Sequence, residues 1–378
     1  MISRLHALQA AGQAVWLDYI ERDLVQSGEL ARRIATDALT GLTSNPTIFE
    51  KALAQGTAYD AQIAAAGAGT ALELFEEIAT DDVRAACDAF ASVFDATHGA
   101  DGFVSLEVSP ALANDAASTV GEATRLWGRV DRPNVMIKVP GTDAGVEALR
   151  ELIAAGINVN VTLLFSVDAH RRVIEAFIDG LEQRAAAGEP VASVASVASF
   201  FVSRVDTAID ARLDALAKSG VITDERCRAL QGKAAIANAR LAYRLARATF
   251  SGERWAALAA RGARVQRPLW ASTSTKNPAY RDVVYVEQLI GPDTVNTLPP
   301  ATLDAYRDHG VTVRTIDTGV DMAVRHLAEL EALGISLAEV TDRLLVEGLA
   351  SFQQSFTSLL TGLDRKSRAL GRELIAAH

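Results

Sequence analysis

The sequence predicts an α/β protein: a closed (β/α)8 TIM barrel with additional C-terminal helices. Three observations carry this expectation. Short apolar or β-branched runs recur eight times, at 14–20, 39–45, 102–109, 134–140, 157–165, 195–203, 267–273 and 293–299. Between them lie stretches such as "DDVRAACDAFASVF", "GVEALRELIAA" and "SVDAHRRVIEAFIDGLEQRAAA", whose apolar residues fall at helical spacing. Strict alternation of that kind means parallel strands joined by crossover helices, and eight units suffice to close a barrel. Third, from residue 301 the text turns wholly helical, with "VDMAVRHLAELEAL" and a long amphipathic run from "SLAEVTDRLL" to "RELIAA". The competing open doubly wound sheet is disfavoured because no "GxGxxG" follows the first strand and no "GxxxxGK[ST]" occurs. We read residues 1–378 as one domain, with the barrel at about 14–300 and the helical extension at about 301–378. Residues 64–70 and 185–190 read as flexible connections, and the purpose of the 50–80 insertion is not legible.

Composition narrows the function classes. The 378 residues are 49% hydrophobic and 22% charged, enough to bury a core without staples. Cys87 and Cys227 are the only cysteines, which fits a reducing compartment and neither a disulfide framework nor a Cys-rich metal site. The N-terminus "MISRLHALQAAGQAVWLDYIERD" lacks a secretory leader, and no run is long enough for a membrane span, so a cytoplasmic protein is expected. A net charge of −10 argues against nucleic acid as a partner. Anionic small substrates remain compatible with local cations, and the pattern leaves monomer and homodimer open.

The chemistry is expected where polar side chains interrupt strand faces. Lysine occurs only six times, yet Lys138 sits in "NVMIKVPGT" among Val135, Met136, Ile137 and Val139. An unpaired ammonium out of water is costly, so such a lysine is paired, neutral or used for chemistry. Strand alternation places Met136 and Lys138 on the inner face, together with Asp18, Thr43, Asn45, Ser105, Glu107, Asn158, Asn160, Thr162, Ser199 and Phe201. For Lys138 the plainer alternative is an architectural ion pair with Glu107 or Asp18, and for Asn45 a turn residue before Pro46. His170 and His309 lack metal-ligand spacing and read as solvated or capping. Trp16, Trp127 and Trp255 read as packing; Trp270 reads as packing or pocket lining. A lysine in a dry pocket has a neutral fraction that attacks carbonyls to give a Schiff base, an electron sink for breaking the adjacent carbon–carbon bond. A carboxylate must take the hydroxyl proton and a second acid–base group must dehydrate the carbinolamine; Asp18 and Glu107 are the available pair.

At this point six motifs in order, "GLTSNPTIFEKAL", "VSLEVSPALANDAASTVGEA", "NVMIKVPGTDAGVEAL", "GINVNVTLLFS", "ASVASFFVSRVD" and "LWASTSTKNPAY", resemble the transaldolase family of the longer bacterial type over nearly the whole chain. The resemblance implies Lys138 as the Schiff-base lysine and Asp18 as the acid–base residue of bond cleavage. It implies that Glu107 works with Thr162 through a water, that Asn45 and Asn160 hold substrate hydroxyls, and that Ser199 and Phe201 line the pocket. Arg204 would grip the sugar phosphate, with Lys276 as a second cation. The implied reaction moves a dihydroxyacetone unit from a ketose phosphate (sedoheptulose 7-phosphate or fructose 6-phosphate) to an aldose phosphate (glyceraldehyde 3-phosphate or erythrose 4-phosphate), in the non-oxidative pentose phosphate pathway. It calls for no metal and no cofactor.

Two rivals stand beside this reading. A fructose 6-phosphate aldolase-type enzyme would release free dihydroxyacetone, but those relatives are shorter and carry glutamine where this chain has Glu107. A catalytically inactive sugar-phosphate-binding protein would need the cations and not Lys138.

Overall fold

The computed structural model describes residues 3–54, 56–67, 69–372 and 374–375. Eight parallel strands close in sequence order: β1 (Gln13–Asp18), β2 (Leu39–Thr43), β3 (Phe103–Glu107), β4 (Val135–Pro140), β5 (Val159–Leu164), β6 (Ser196–Phe201), β7 (Arg267–Ala271) and β8 (Thr294–Leu298). Closure is made by β1 pairing with β8, with Val15 opposite Asn296. The α/β barrel expected from the alternation is therefore the architecture found. The central β4, "VMIKVP", is buried along its whole length, as a strand covered on both faces must be.

Helix starts follow local capping chemistry. The 26-residue helix Ala71–Ala96 opens on a reciprocal capping box between Thr70 and Glu73. Thr142, Ser166 and Ser336 each accept an amide at the N-caps of Asp143–Ala155, Val167–Ala186 and Leu337–Ala369. Two readings change. A helix at Arg4–Ala10 precedes the first strand, and the C-terminal region is broken by non-helical residues 310–319 between Pro300–His309 and Val320–Ala332. Position 68 of the predicted 64–70 connection, position 55 of the insertion, and positions 373, 376 and 377 of the last predicted helix lie outside the described residues.

Trp16 and Phe103, ring centres 6.4 Å apart, help to fill the lower part of the barrel. Trp16 on β1 is completely buried, and a Cβ at Gly41 on β2 would stand 2.5 Å from its ring, so only glycine leaves room for it. The indole Nε1 donates to Asp101 Oδ1 at 2.8 Å, and Arg267 pairs with the same carboxylate. That polar plug fixes Trp16 beneath Asp18, two residues along the same face.

The mouth is covered from above by the 33-residue C-terminal helix Leu337–Ala369, which packs on Pro46–Ala54 and Ala71–Ala96. Phe75 meets Phe49 and Phe356 edge-on at 5.5 and 5.6 Å, and Thr47 donates to Ser355. The helices of the 50–80 region are thus the seat on which the C-terminal helix rests.

One side-chain expectation is corrected, and for Trp270 packing is the reading found. His170 is neither solvated nor a cap: its ring is fully buried against Phe200, and neither ring nitrogen has a hydrogen-bond partner among the described residues. Trp270 does not line the inner cavity; it packs edge-on against Phe200 in the layer between strands and helices, while its neighbour Ala271 faces inward. His309 lies exposed between Asp282 and Asp308.

Candidate active site

Lys138 reaches into a cavity of about 140 Å³ at the strands' C-terminal ends, where barrels of this kind carry their sites. Its Nζ donates to the Ser44 carbonyl at 3.0 Å and to Glu107 Oε2 at 3.1 Å. Register explains the second contact, because Glu107 on β3 lies directly opposite Lys138 on β4. Both side chains are under 8% exposed. Asp18 approaches across the barrel from β1 and lines the same cavity.

The two carboxyls are held in unlike ways. Burial pushes Asp18 above the usual carboxylate range, against the opposing pull of the Lys138 ammonium and the Thr43 hydroxyl. Thr43 Oγ1 lies 2.7 Å from Asp18 Oδ1 and 2.6 Å from Thr297 Oγ1. An ionised carboxylate only accepts, so Thr43 donates to Asp18 and Thr297 donates to Thr43. That ordered relay aims one Asp18 oxygen and leaves the other for the cavity. Glu107 is likewise raised by burial and by the nearby Asp18 charge, with Lys138 opposing.

β5 carries a local distortion beside the lysine. Its pairing with β6 slips between Val161 and Leu164, and Leu163 takes φ +59°, a left-handed conformation costing a bulky residue on the order of 1 kcal/mol or more. Thr162 Oγ1 is left buried without a hydrogen-bond partner among the described residues, on the cavity wall. The C-terminal helix holds this distortion down: a Cβ at Gly348 would stand only 3.0 Å from Leu163 Cδ2. One turn further, the helix lowers Phe352 over the cavity, its ring centre 5.9 Å from Lys138 Nζ.

The far end of the cavity is cationic. Arg204, at the start of helix Ser203–Lys218, lies with its guanidinium 5.4 Å from the Phe201 ring and makes no ion pair among the described residues. Burial lowers its proton affinity, and Lys276 is lowered by burial and by the Arg204 charge. Among the described residues Lys276 Nζ has only Ser274 Oγ as a partner, at 2.9 Å. Two cations facing each other without a carboxylate form a site for an anion. They are held by buried tyrosine–aspartate pairs: Tyr280 donates to Asp210 and Tyr285 to Asp206 at 2.8 Å, tying the segment after β7 to the Arg204 helix.

Of the expected residues, Asp18, Asn45, Lys138, Thr162, Ser199, Phe201, Arg204 and Lys276 line one cavity. Asn45 also plays its plainer part, its Oδ1 accepting from Ile48 N at the start of a helix. Glu107 meets the cavity through Lys138 and makes no direct hydrogen bond to Thr162. Asn160 lies fully buried in the layer beneath, its amide engaged by Ser105 Oγ at 3.0 Å and Ser199 Oγ at 2.7 Å. Asn158 is deeper still, bonding the Pro133, Val135 and Ala195 backbone at the strand starts. Sequence reasoning missed Thr297 and Phe352. The first shares inward parity with Val295 and could have been found that way; nothing in an amphipathic helix of 33 residues marks which turn crosses the mouth.

Residues 15–363 match the family model described as Transaldolase/Fructose-6-phosphate aldolase. The chain is 46% identical over 377 residues to a protein of Nostoc sp. named Transaldolase 2, covering 98% of this chain and 99% of that one. It is 49% identical to Transaldolase of Mycolicibacterium smegmatis, over 94% of this chain and 95% of the relative. To Transaldolase of Thermobifida fusca it is 50% identical, over 98% and 99%. A closed eight-stranded barrel, a buried lysine between two carboxyls and near full-length likeness agree: the chain belongs to the transaldolase/fructose-6-phosphate aldolase family.

Proposed function

We propose that this chain is a transaldolase that moves a dihydroxyacetone unit between sugar phosphates of the non-oxidative pentose phosphate pathway, with Lys138 as the covalent centre. The observation that carries the reading is the buried Lys138 ammonium held 3.1 Å from Glu107, in one cavity with Asp18 and two cations. In this scheme neutral Lys138 attacks the donor ketone, and Glu107 with a Thr162-bound water moves the protons that expel the carbinolamine hydroxyl as water. Asp18 then takes the proton from the hydroxyl on the far carbon of the bond to be broken, which becomes the aldehyde of the leaving aldose. That bond's electron pair flows into the iminium, the aldose phosphate leaves and the enamine stays on Lys138. Addition of the enamine to the acceptor aldehyde, with Asp18 returning its proton, and hydrolysis of the new iminium complete the transfer.

Arg204 and Lys276 hold the distal phosphate of donor and acceptor alike, which fixes the length of sugar that spans the cavity. Asn45, Ser199 and Phe201 contact the carbon chain, and Asn160 acts through Ser199 as a positioning residue. Phe352 closes the enamine off from water, which favours transfer over release. Both cysteines are unpaired and buried, which supports a reducing, cytoplasmic setting. The test follows glyceraldehyde 3-phosphate release from fructose 6-phosphate, with and without erythrose 4-phosphate, in wild type and Lys138→Ala. Release that requires the acceptor and vanishes in the variant is expected. Sustained release without acceptor would instead assign an aldolase, and no release at all a binding protein.

A further inference from the structure

A second hollow lies between helices Ala234–Thr249 and Val320–Ala332 and shares no residue with the active cavity. Its volume is about 500 Å³, within the usual range for small-molecule sites. Its charge runs against that of the chain. The whole sequence has 37 Lys and Arg against 47 Asp and Glu, yet Arg226, Lys233, Arg240, Arg325 and His326 line this hollow with Glu329 as the lone acid. Glu329 is already taken by Arg226 at 2.9 Å. Lys233, Arg240 and Arg325 make no ion pair among the described residues.

On two residues of its wall a polar atom is buried without a hydrogen-bond partner among the described residues, Arg240 Nε and His326 Nε2. Arg240 is held by its other end, Nη2 donating to Gln288 Oε1 at 2.9 Å, which fixes the guanidinium plane. Gly319, at φ +64°, keeps the space open: a Cβ there would come 2.8 Å from Met322 Cε and 3.4 Å from Arg240 Nη1. Beside the cations the walls are apolar, formed by Leu230, Ile236 and Met322, the last 61% exposed. Cations gathered without carboxylates repel one another, and a bound anion relieves that.

We propose that this hollow binds an organic phosphate of mononucleotide size, its phosphate on Lys233, Arg240 and Arg325 and its apolar body against Leu230, Ile236 and Met322. The volume and the apolar wall distinguish this ligand from a bare inorganic anion, which needs neither.

The test is calorimetric titration of the full-length protein at low ionic strength with adenosine monophosphate and, separately, inorganic phosphate. We expect one saturable site for the nucleotide and weaker binding of phosphate. The double variant Lys233→Gln/Arg325→Gln removes two charge-assisted contacts and weakens the nucleotide by about tenfold or more, the least that even one such contact supplies. It leaves turnover of sugar phosphates unchanged. Met322→Ser weakens the nucleotide and not phosphate, and Arg204→Gln, in the active cavity, leaves nucleotide binding intact. The proposal is overturned by absent nucleotide binding, by binding that survives the double variant, by binding that Arg204→Gln abolishes, or by phosphate binding as tightly as the nucleotide.

Discussion

Two arginines with opposite surroundings give the most discriminating prediction. Arg204 is largely buried, has no carboxylate partner and repels Lys276, so it is kept at a cost to the empty protein. Arg22 is also buried, but both its Nε and Nη2 bond Asp82 Oδ1, at 2.9 and 2.8 Å, with the carboxylate 4% exposed. Arg204→Gln removes about 2–3 kcal/mol of charge-assisted bonding to a phosphate, which is about a 30- to 150-fold fall in kcat/KM for donor and acceptor. It also loses a guanidinium–Phe201 contact of about 0.5–1 kcal/mol and relieves desolvation and repulsion of similar size, so urea stability changes by less than about 1 kcal/mol. Arg22→Gln strands a buried carboxylate that then keeps, among the described residues, Tyr59 as its donor, and costs about 3 kcal/mol of stability while kinetics of the surviving folded protein stay near wild type. Steady-state kinetics on both substrates and urea midpoints at constant m separate the two patterns. Loss of several kcal/mol of stability in Arg204→Gln, or unchanged kcat/KM, would refute the assignment of Arg204 as an anion grip held against its own environment.

Three further outcomes follow from the geometry. Burial pushes Asp206 up to about 7 from 3.8, so the folded state keeps this proton while the unfolded state loses it, and stability falls as pH rises from about 4 to about 7. Asp206→Asn can still accept from Ala235 N and meet Tyr285, so urea unfolding across that window should show a shallower decline than wild type, by up to about 1.4 kcal/mol per pH unit. Glu107→Gln keeps a polar contact to Lys138 but removes the proton acceptor, and should slow formation of the covalent intermediate about 100-fold in single-turnover kinetics, with Thr162→Val acting in the same direction. Phe352→Ala uncovers the lysine and empties a buried site; it should cost about 3 kcal/mol and raise the ratio of dihydroxyacetone released to dihydroxyacetone transferred.

Strand periodicity carried most of the fold. The eight apolar runs correspond to the eight strands, because a strand buried on both faces needs a continuous apolar stretch that few other elements need. All but the β4 run were overextended at their C-terminal ends by one or two residues: Tyr19, Asn45 and Ser203 belong to the segments after the strands, where the backbone turns toward the next helix. Parity was a good guide to direction but not to depth. It put Asn158, Asn160 and Thr162 on one face without distinguishing strand start, middle and bulged end, and only Thr162 of the three lines the cavity. The bulge at Leu163 has no local signature, since nothing in "VNVTLLF" asks for a left-handed leucine, and its side chain meets Gly348 from far along the chain. His170 misled for a related reason: a histidine on an amphipathic helix is ordinarily wet, and this one faces Phe200 across the strand–helix layer. Trp16 and Gly41 show the reverse case, in which a large residue and a glycine in neighbouring strands make sense only once they touch.

The central claim is that Lys138 carries the substrate covalently. Borohydride reduction in the presence of fructose 6-phosphate, followed by peptide mass mapping, tests it most directly. The account predicts a stable three-carbon adduct on the peptide containing Lys138, its absence in Lys138→Ala, and an intact six-carbon phosphate adduct in Asp18→Asn, where the bond-breaking base is gone. An adduct on any other residue, or full turnover with no adduct at Lys138, would contradict it.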